Sequence, residues 1–431
     1  MKHLGLIAAA LAGFSLTPHA LAQDFAITGA TVALGDGSEP IENGTVLVRG
    51  GKIVAAGRDV AVAGGVPVID GTGLWATPGL FVPLTDLGLY DIEAVDESDD
   101  RGANRADFNA ALDVAPAINP ASEHIATGRA AGITRASVTG YPANAIFAGQ
   151  GALIDLGADY DAVTQPRAFQ LIDLGEEGGR LAGGSRSAAY AELHNALAEA
   201  VGYAAGRWTG DRSKLMRMDV KALGPVVAGE QRLIVQVERA ADILAVLALR
   251  DEFPDLDLVI AGATEGWLVA DQIAAAGVPV ITTGLDDLPA SFEQLAATQS
   301  NVGRMRAAGV KVALGGFSGT NDFPRYAPHY AGNLVALATM PGATGLSWGD
   351  AFAAVSSVPA EISGLAGKAG ILAPGAFGDV VLWDGDPLEV TSAPVRVFID
   401  GVEQPLASHQ SRLRERYRTP APGDLPKAYE W

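Results

Sequence analysis

The sequence predicts an α/β protein: a parallel β/α barrel of TIM type beside a small all-β unit drawn from both ends of the chain. Three observations carry this. Between residues 76 and 370, short apolar runs alternate with longer Ala- and Leu-rich stretches of helical period, as a parallel barrel requires. Residues 25–69 and 378–402 instead hold short alternating or β-branched runs broken by Gly, Asn and Asp, a strand-and-turn signature. Between the two patterns lies Thr77-Pro78-Gly79, a turn that opens onto the apolar run LFVPL.

Taken in order, the chain begins with Lys2 and His3, an apolar run from Leu4 to Leu16, and Ala20-Leu21-Ala22 before Gln23. The apolar run is too short to span a bilayer, and the small-x-small triplet reads as a cleavage site, so residues 1–22 are expected to be a secretory signal peptide and the protein periplasmic or secreted. The absence of cysteine fits an oxidising compartment and excludes disulfides, thiolate ligands and cysteine nucleophiles. The β-rich unit follows as AITGATVAL, GTVLVRG, GKIVAAG and VPVID, completed at the far end by GDVVLW and VRVFIDGV. Barrel strands are expected at Leu80–Leu84, Ile133–Val138, Leu233–Val237, Leu256–Ala261, Val278–Thr282 and Val310–Leu314. Helices are expected at Ala188–Tyr203, Arg239–Leu249, Trp267–Ala276 and Phe292–Ala308. Residues 91–119 read as an acidic irregular loop over the barrel mouth, Gly178–Arg186 as a flexible Gly- and Ser-rich link, and residues after 420 as an exposed end.

With 431 residues, 48% of them hydrophobic, the chain can bury a large core. Its formal net charge of −20 argues against nucleic-acid partners and against anionic lipid surfaces, and no segment of the mature chain has the uninterrupted apolar length of a membrane span.

The segments GTVLVRGGKIVAAG, VIDGTGLWATPGL and GAFGDVVLWDGDPLE resemble the amidohydrolase superfamily, most closely its imidazolonepropionase-like group. The resemblance implies a (β/α)8 TIM-like barrel over 76–370, a β-sandwich composed of 23–75 and 371–405, and a tail over 406–431. It also implies metal-dependent hydrolysis of non-peptide or peptide-like C–N bonds, with metal ligands after strands one, five, six and eight. Carried over position by position, the His-x-His pair of strand one falls on Leu84 and Asp86, and the strand-five histidine on Gln236. The strand-six histidine falls on Ala261 or Gly262, and the aspartate after strand eight on Phe317. A hydrolytic zinc site takes about three protein ligands and an open water position. Leu, Ala, Gly and Phe supply none, so no resident metal cofactor is expected. The histidines left after the leader, His124, His194, His329 and His409, fall at none of these positions.

Asp86, Glu238 and Glu265 are the candidate catalytic residues, with Asp286 and Asp287 near them. Either they gather as a carboxylate cluster able to hold a hard cation or act as acid and base, or they are ion-paired with Arg239 or Arg304, or simply solvated. Ser318, in the Gly315–Thr320 turn, lacks a nearby histidine to activate it. Two functions follow. One is a metal-free degenerate member that binds a small molecule or peptide, or serves as subunit to a His-bearing amidohydrolase paralogue. The other is an active periplasmic C–N hydrolase with zinc or another divalent metal on a non-standard carboxylate site.

Overall fold

The computed structural model describes residues 22–211, 213–316 and 324–418. Residues 1–21, Arg212, 317–323 and 419–431 lie outside the described residues, among them the expected signal peptide, Phe317, Ser318 and the expected exposed end after 420. Five strands open the described chain: β1 (Phe25–Val32), β2 (Ile41–Arg49), β3 (Lys52–Gly57), β4 (Val68–Asp70) and β5 (Trp75–Pro78). Eight form the barrel: β6 (Leu80–Thr85), β7 (Ile133–Val138), β8 (Phe147–Asp155), β9 (Val163–Asp173), β10 (Arg232–Val237), β11 (Leu258–Gly262), β12 (Val280–Thr282) and β13 (Val312–Leu314). Three close the chain: β14 (Val380–Trp383), β15 (Pro394–Ile399) and β16 (Val402–Glu403).

The two ends meet in one sheet, in the order β16-β15-β14-β5-β1-β2-β3 with β4 also paired to β1. The junction is β14 running antiparallel to β5, Val380 opposite Pro78 and Trp383 opposite Trp75. Here the Thr-Pro-Gly turn acquires its physical reason. Thr77 Oγ1 accepts from Trp383 Nε1 at 3.0 Å, and Gly79 passes so close to β7 that a Cβ would lie 2.0 Å from Thr134 Oγ1. Arg135 of β7 ties the sheet to the barrel through Asp379 at 2.7 Å and Asp400 at 2.8 Å. Both Arg135 and Asp379 are buried, and the guanidinium stacks 3.9 Å from the centre of the Phe377 ring.

The barrel strands follow chain order around a nearly closed α/β barrel. Seven run in one direction, whereas β8 is antiparallel to both β7 and β9. Where β6 meets β13, Pro83 lacks an N–H to donate. Other backbone groups bridge the seam: Phe81 donates to the Val355 carbonyl, Leu314 to Ala354, and Gly316 to Pro83. The interior is apolar, with Leu84, Phe169, Leu171, Ile234, Val259, Ala261 and Ile281 packed together with Ile362 from the helix Ser357–Ile362.

All six expected barrel strands are present within two residues of their expected ends, and Arg186–Ala204 and Ala240–Glu252 are helical. Two expectations change. The helix expected from Phe292 is confined to Asn301–Ala307, because tertiary partners take up the preceding segment. Ala296 donates to Glu265 Oε1 and accepts from Trp267 Nε1, while Glu293 turns inward to Arg186. Residues Glu176–Leu181 are helical where a flexible link is expected, since Asp173 Oδ1 accepts from the Gly175 and Gly178 N–H groups and fixes the entry to that helix. The tail carries a helix, His409–Arg418, held to Glu123 by the His409 N–H and by Arg412. No helix among the described residues is long and apolar enough to cross a membrane.

Candidate functional site

A cavity of about 510 Å³ opens at the carboxyl ends of the seven co-directional strands. Its floor is the top of the barrel interior, where Leu84, Leu171, Ala261 and Ile281 lie; its wall carries Asp86, Asp173, Glu177, Glu238 and Asp286, with Arg101 as the single cation among the described residues. Of the residues singled out by sequence, Leu84, Asp86, Gln236, Glu238, Ala261, Gly262 and Asp286 are therefore brought together on one cavity. Glu265 and Asp287 are not among its lining residues, and Phe317 lies outside the described residues.

Strand β6 delivers the first of these. Its backbone turns left-handed at Leu84, with φ of 52°, and its register with β7 shifts between Val82 and Thr85. The regular alternation that would send positions 84 and 86 to one face is thus broken. Leu84 packs into the barrel interior, and Asp86 reaches Arg101 Nη1 at 3.4 Å. Arg101 is otherwise committed to Asp99, with contacts of 2.9 and 2.7 Å, and its guanidinium lies over the Tyr90 ring. Burial first, then the nearby Asp86 charge, pushes the Tyr90 phenol up to about 12.

Glu238 sits just past the end of β10. Its Oε2 accepts from the Thr264 N–H at 3.0 Å and the Thr264 hydroxyl at 2.7 Å, and its Oε1 accepts from Gln236 Nε2 at 3.2 Å. Gly262, with φ of +87°, makes room for it: a Cβ at that position would lie 2.3 Å from Glu238 Oε1. Asp173, at the end of the neighbouring β9, is the register partner of Gln236. Burial drives the Asp173 carboxyl up to about 6, against the pull of the Gly178 and Gly175 N–H groups, with Glu293 and Glu177 adding to the rise. Burial also raises Glu238, opposed by its Thr264 hydrogen bonds and reinforced by Glu293 and Asp286. Two carboxyls, Glu238 buried and Asp173 partly so, thus stand at adjacent strand ends with like charge nearby. Burial favours the neutral acid in both, and a cation entering the cavity would favour the charged form.

Glu265 has a different task. Its two oxygens accept from the Ala240 N–H and the Ala296 N–H, both at 3.1 Å, which anchors the start of one helix and the loop beside another. Arg239 pairs with Asp242, and Arg304 lies over the Trp267 ring, so neither faces these carboxylates as an ion-pair partner. None of the four histidines lines the cavity. His124 stacks on Tyr90 in a neighbouring cleft of about 450 Å³ that shares Asp86, and His194 pairs with Glu252. Burial lowers the His329 pKa, and His409 begins the tail helix. Asp173 is the residue that sequence reasoning passed over. Its signal is the run AFQLID, which ends on an acid before the Leu174-Gly175 turn and is masked by Gln165-Pro166 upstream.

The described part of the cavity offers no assembled ligand triad for a divalent metal. Among the described residues no group of three or more His, Asp or Glu side chains gathers at metal-binding range. Gln236 spends its amide on Glu238, and the Glu238 oxygens already receive three hydrogen bonds.

A cavity at the carboxyl ends of barrel strands, beside a sheet made from both chain ends, defines an α/β-barrel protein with a ligand-sized site at the rim. A model described as the amidohydrolase family matches residues 258–403. The structure superposes on an amidohydrolase from Thermotoga maritima with a TM-score of 0.77 and 22% identity, covering 88% of this chain and 99% of that one. A zinc-bound adenosine deaminase from Xanthomonas campestris gives a TM-score of 0.53 at 16% identity, over 92% of this chain and 99% of the other. Among curated relatives, the amidohydrolase tasK of Hapsidospora irregularis is 43% identical over 60 residues, 14% of this chain. An N-acyl-D-aspartate deacylase of Alcaligenes xylosoxydans is 55% identical over 56 residues, 13% of this chain. These stretches span only 6% and 11% of the two relatives' lengths. The chain is thus similar to the amidohydrolase family in sequence over residues 258–403 and to amidohydrolases in fold over most of its length.

Proposed function

We propose that this chain is a binding member of the superfamily, of the imidazolonepropionase-like group, in which the metal ligands are replaced. It is exported, its terminal sheet serves as the family's β-sandwich, and it acts as a ligand-binding module or as the partner subunit of a His-bearing homologue. The observation that supports this best is the space around Gly262. At one of the two positions matching the strand-six histidine, a Cβ would collide with the Glu238 carboxylate, so Glu238 fills the room a ligand side chain would need. Leu84 and Ala261, at two further ligand positions, contribute apolar floor instead.

A second reading is an active C–N hydrolase whose metal sits on carboxylates, favoured by Asp86, Asp173 and Glu238 opening on one cavity. Elemental analysis of natively purified protein separates the two, combined with hydrolysis assays on cyclic amides and dipeptides with and without added zinc. The binding reading expects less than a tenth of a metal equivalent per chain and no zinc-stimulated turnover. One tightly held metal per chain with chelator-sensitive hydrolysis would overturn it.

A further inference from the structure

We propose that the barrel-mouth cavity is built to hold a small organic cation with an apolar body, an amine or guanidinium on a hydrocarbon or aromatic frame. This rests on the cavity being a ligand site, and it adds the chemical class of the occupant. Charge balance is the first argument. Among the described lining residues Arg101 is the single cation, and it is shared by Asp99 and Asp86. Asp173 and Glu238 receive only neutral donors, the backbone N–H groups of Gly175 and Gly178 for one and Thr264 with Gln236 for the other. No salt bridge among the described residues reaches either. Buried carboxylates are ordinarily paired, and these two have neighbours of their own sign.

Thr85 supplies an independent observation. It is 1% exposed and lines the same cavity, yet its hydroxyl has no hydrogen-bond partner among the described residues. A buried hydroxyl without a partner is uncommon, and an N–H donor of a ligand would satisfy it. The floor sets the remainder of the class. Leu84, Leu171, Ala261 and Ile281 offer an apolar surface to the body of the ligand, so an inorganic cation would leave that surface unmatched. The cavity volume of about 510 Å³ falls in the range typical of small-molecule sites.

The test compares three probes with one frame, benzylamine, benzyl alcohol and benzoate, by calorimetric titration of the whole mature chain at pH 7.5 and low salt. Benzylamine is expected to bind at least ten-fold more tightly than either of the others. Asp173→Asn and Glu238→Gln are each expected to weaken benzylamine at least five-fold while leaving benzyl alcohol unchanged. Thermal unfolding of each variant establishes that it is folded, and the wild-type ranking of the three probes stands without any variant. Equal or tighter binding of benzoate or benzyl alcohol, absence of saturable benzylamine binding, or benzylamine affinity unchanged in both variants would each overturn the proposal. Metal content and hydrolysis, measured on the same preparation, keep the two readings apart. Metal-dependent turnover with amine preference intact removes the binding-module reading alone, whereas metal-free, inactive protein with no amine preference removes the ligand class alone.

Discussion

Replacing Asp173 by Asn tests the electrostatics of the cavity through stability. The substitution keeps an acceptor oxygen for the Gly175 and Gly178 N–H groups and removes the charge. In the folded protein burial holds the Asp173 carboxyl at about 6, against an ordinary value of 3.8. A folded-state value above the unfolded one means that folding favours the neutral acid. The stability associated with the protonated group is therefore whole below pH 3.8 and is lost as pH rises through about 6. The difference corresponds to about 3 kcal/mol once both states are ionised, an order-of-magnitude figure. Asp173→Asn should therefore be more stable than wild type by about 1.5 kcal/mol at pH 5 and by about 3 kcal/mol at pH 8. Urea unfolding of the two proteins side by side, at half-unit steps between those values, reads this directly. An advantage that shrinks as pH rises, or a variant less stable than wild type throughout, would show that Asp173 is a satisfied anion rather than a strained one.

Three further outcomes follow from the packing. Gly262→Ala places a Cβ 2.3 Å from Glu238 Oε1 at a φ of +87°; left-handed strain and overpacking together should cost at least about 2 kcal/mol in urea unfolding. A cost below 0.5 kcal/mol would mean that Glu238 does not hold this position. Glu265→Ala strips the acceptor from the Ala240 and Ala296 N–H groups and should destabilise by about 2–4 kcal/mol, with benzylamine affinity unchanged because the residue lies outside the cavity lining. Arg135→Met leaves Asp379 buried without its cation and should cost about 3–5 kcal/mol; adding Asp379→Asn should restore part of that loss, and thermal unfolding of the single and double variants decides it.

The frame was legible because it is written in local patterns, and the site was legible only where such patterns end. Strands β6, β7 and β10–β13 are apolar runs that stop at a Gly, a polar residue or a turn, and periodicity finds them. The terminal sheet could be read because GDVVLW and WATPG each carry strand chemistry of their own. By contrast, β8 and β9 depend on contacts distant in sequence. Gly151 reads as a strand breaker, but in the barrel a Cβ there would lie 2.1 Å from the Phe169 ring. Pro166 reads as a terminator, yet it lies within the outer half of β9. With β9 unread, its terminal acid Asp173 had no place to be looked for.

Glu238 and Glu265 show the same limit from the other side. Both are acids next to predicted strand ends, and nothing in the flanking residues separates them. What separates them is what each carboxylate meets. Glu265 closes two backbone N–H groups from distant segments, which makes it an anchor. Glu238 shares its cavity with Asp173 and Asp286 and fills the space left by Gly262, which gives it a ligand-facing role. Position along the barrel locates a functional rim, but the charge state of a carboxyl on that rim is set by its partners across the fold. Asp173, with neutral partners and acidic neighbours, is therefore the residue whose titration reports most directly on what the cavity was shaped to receive.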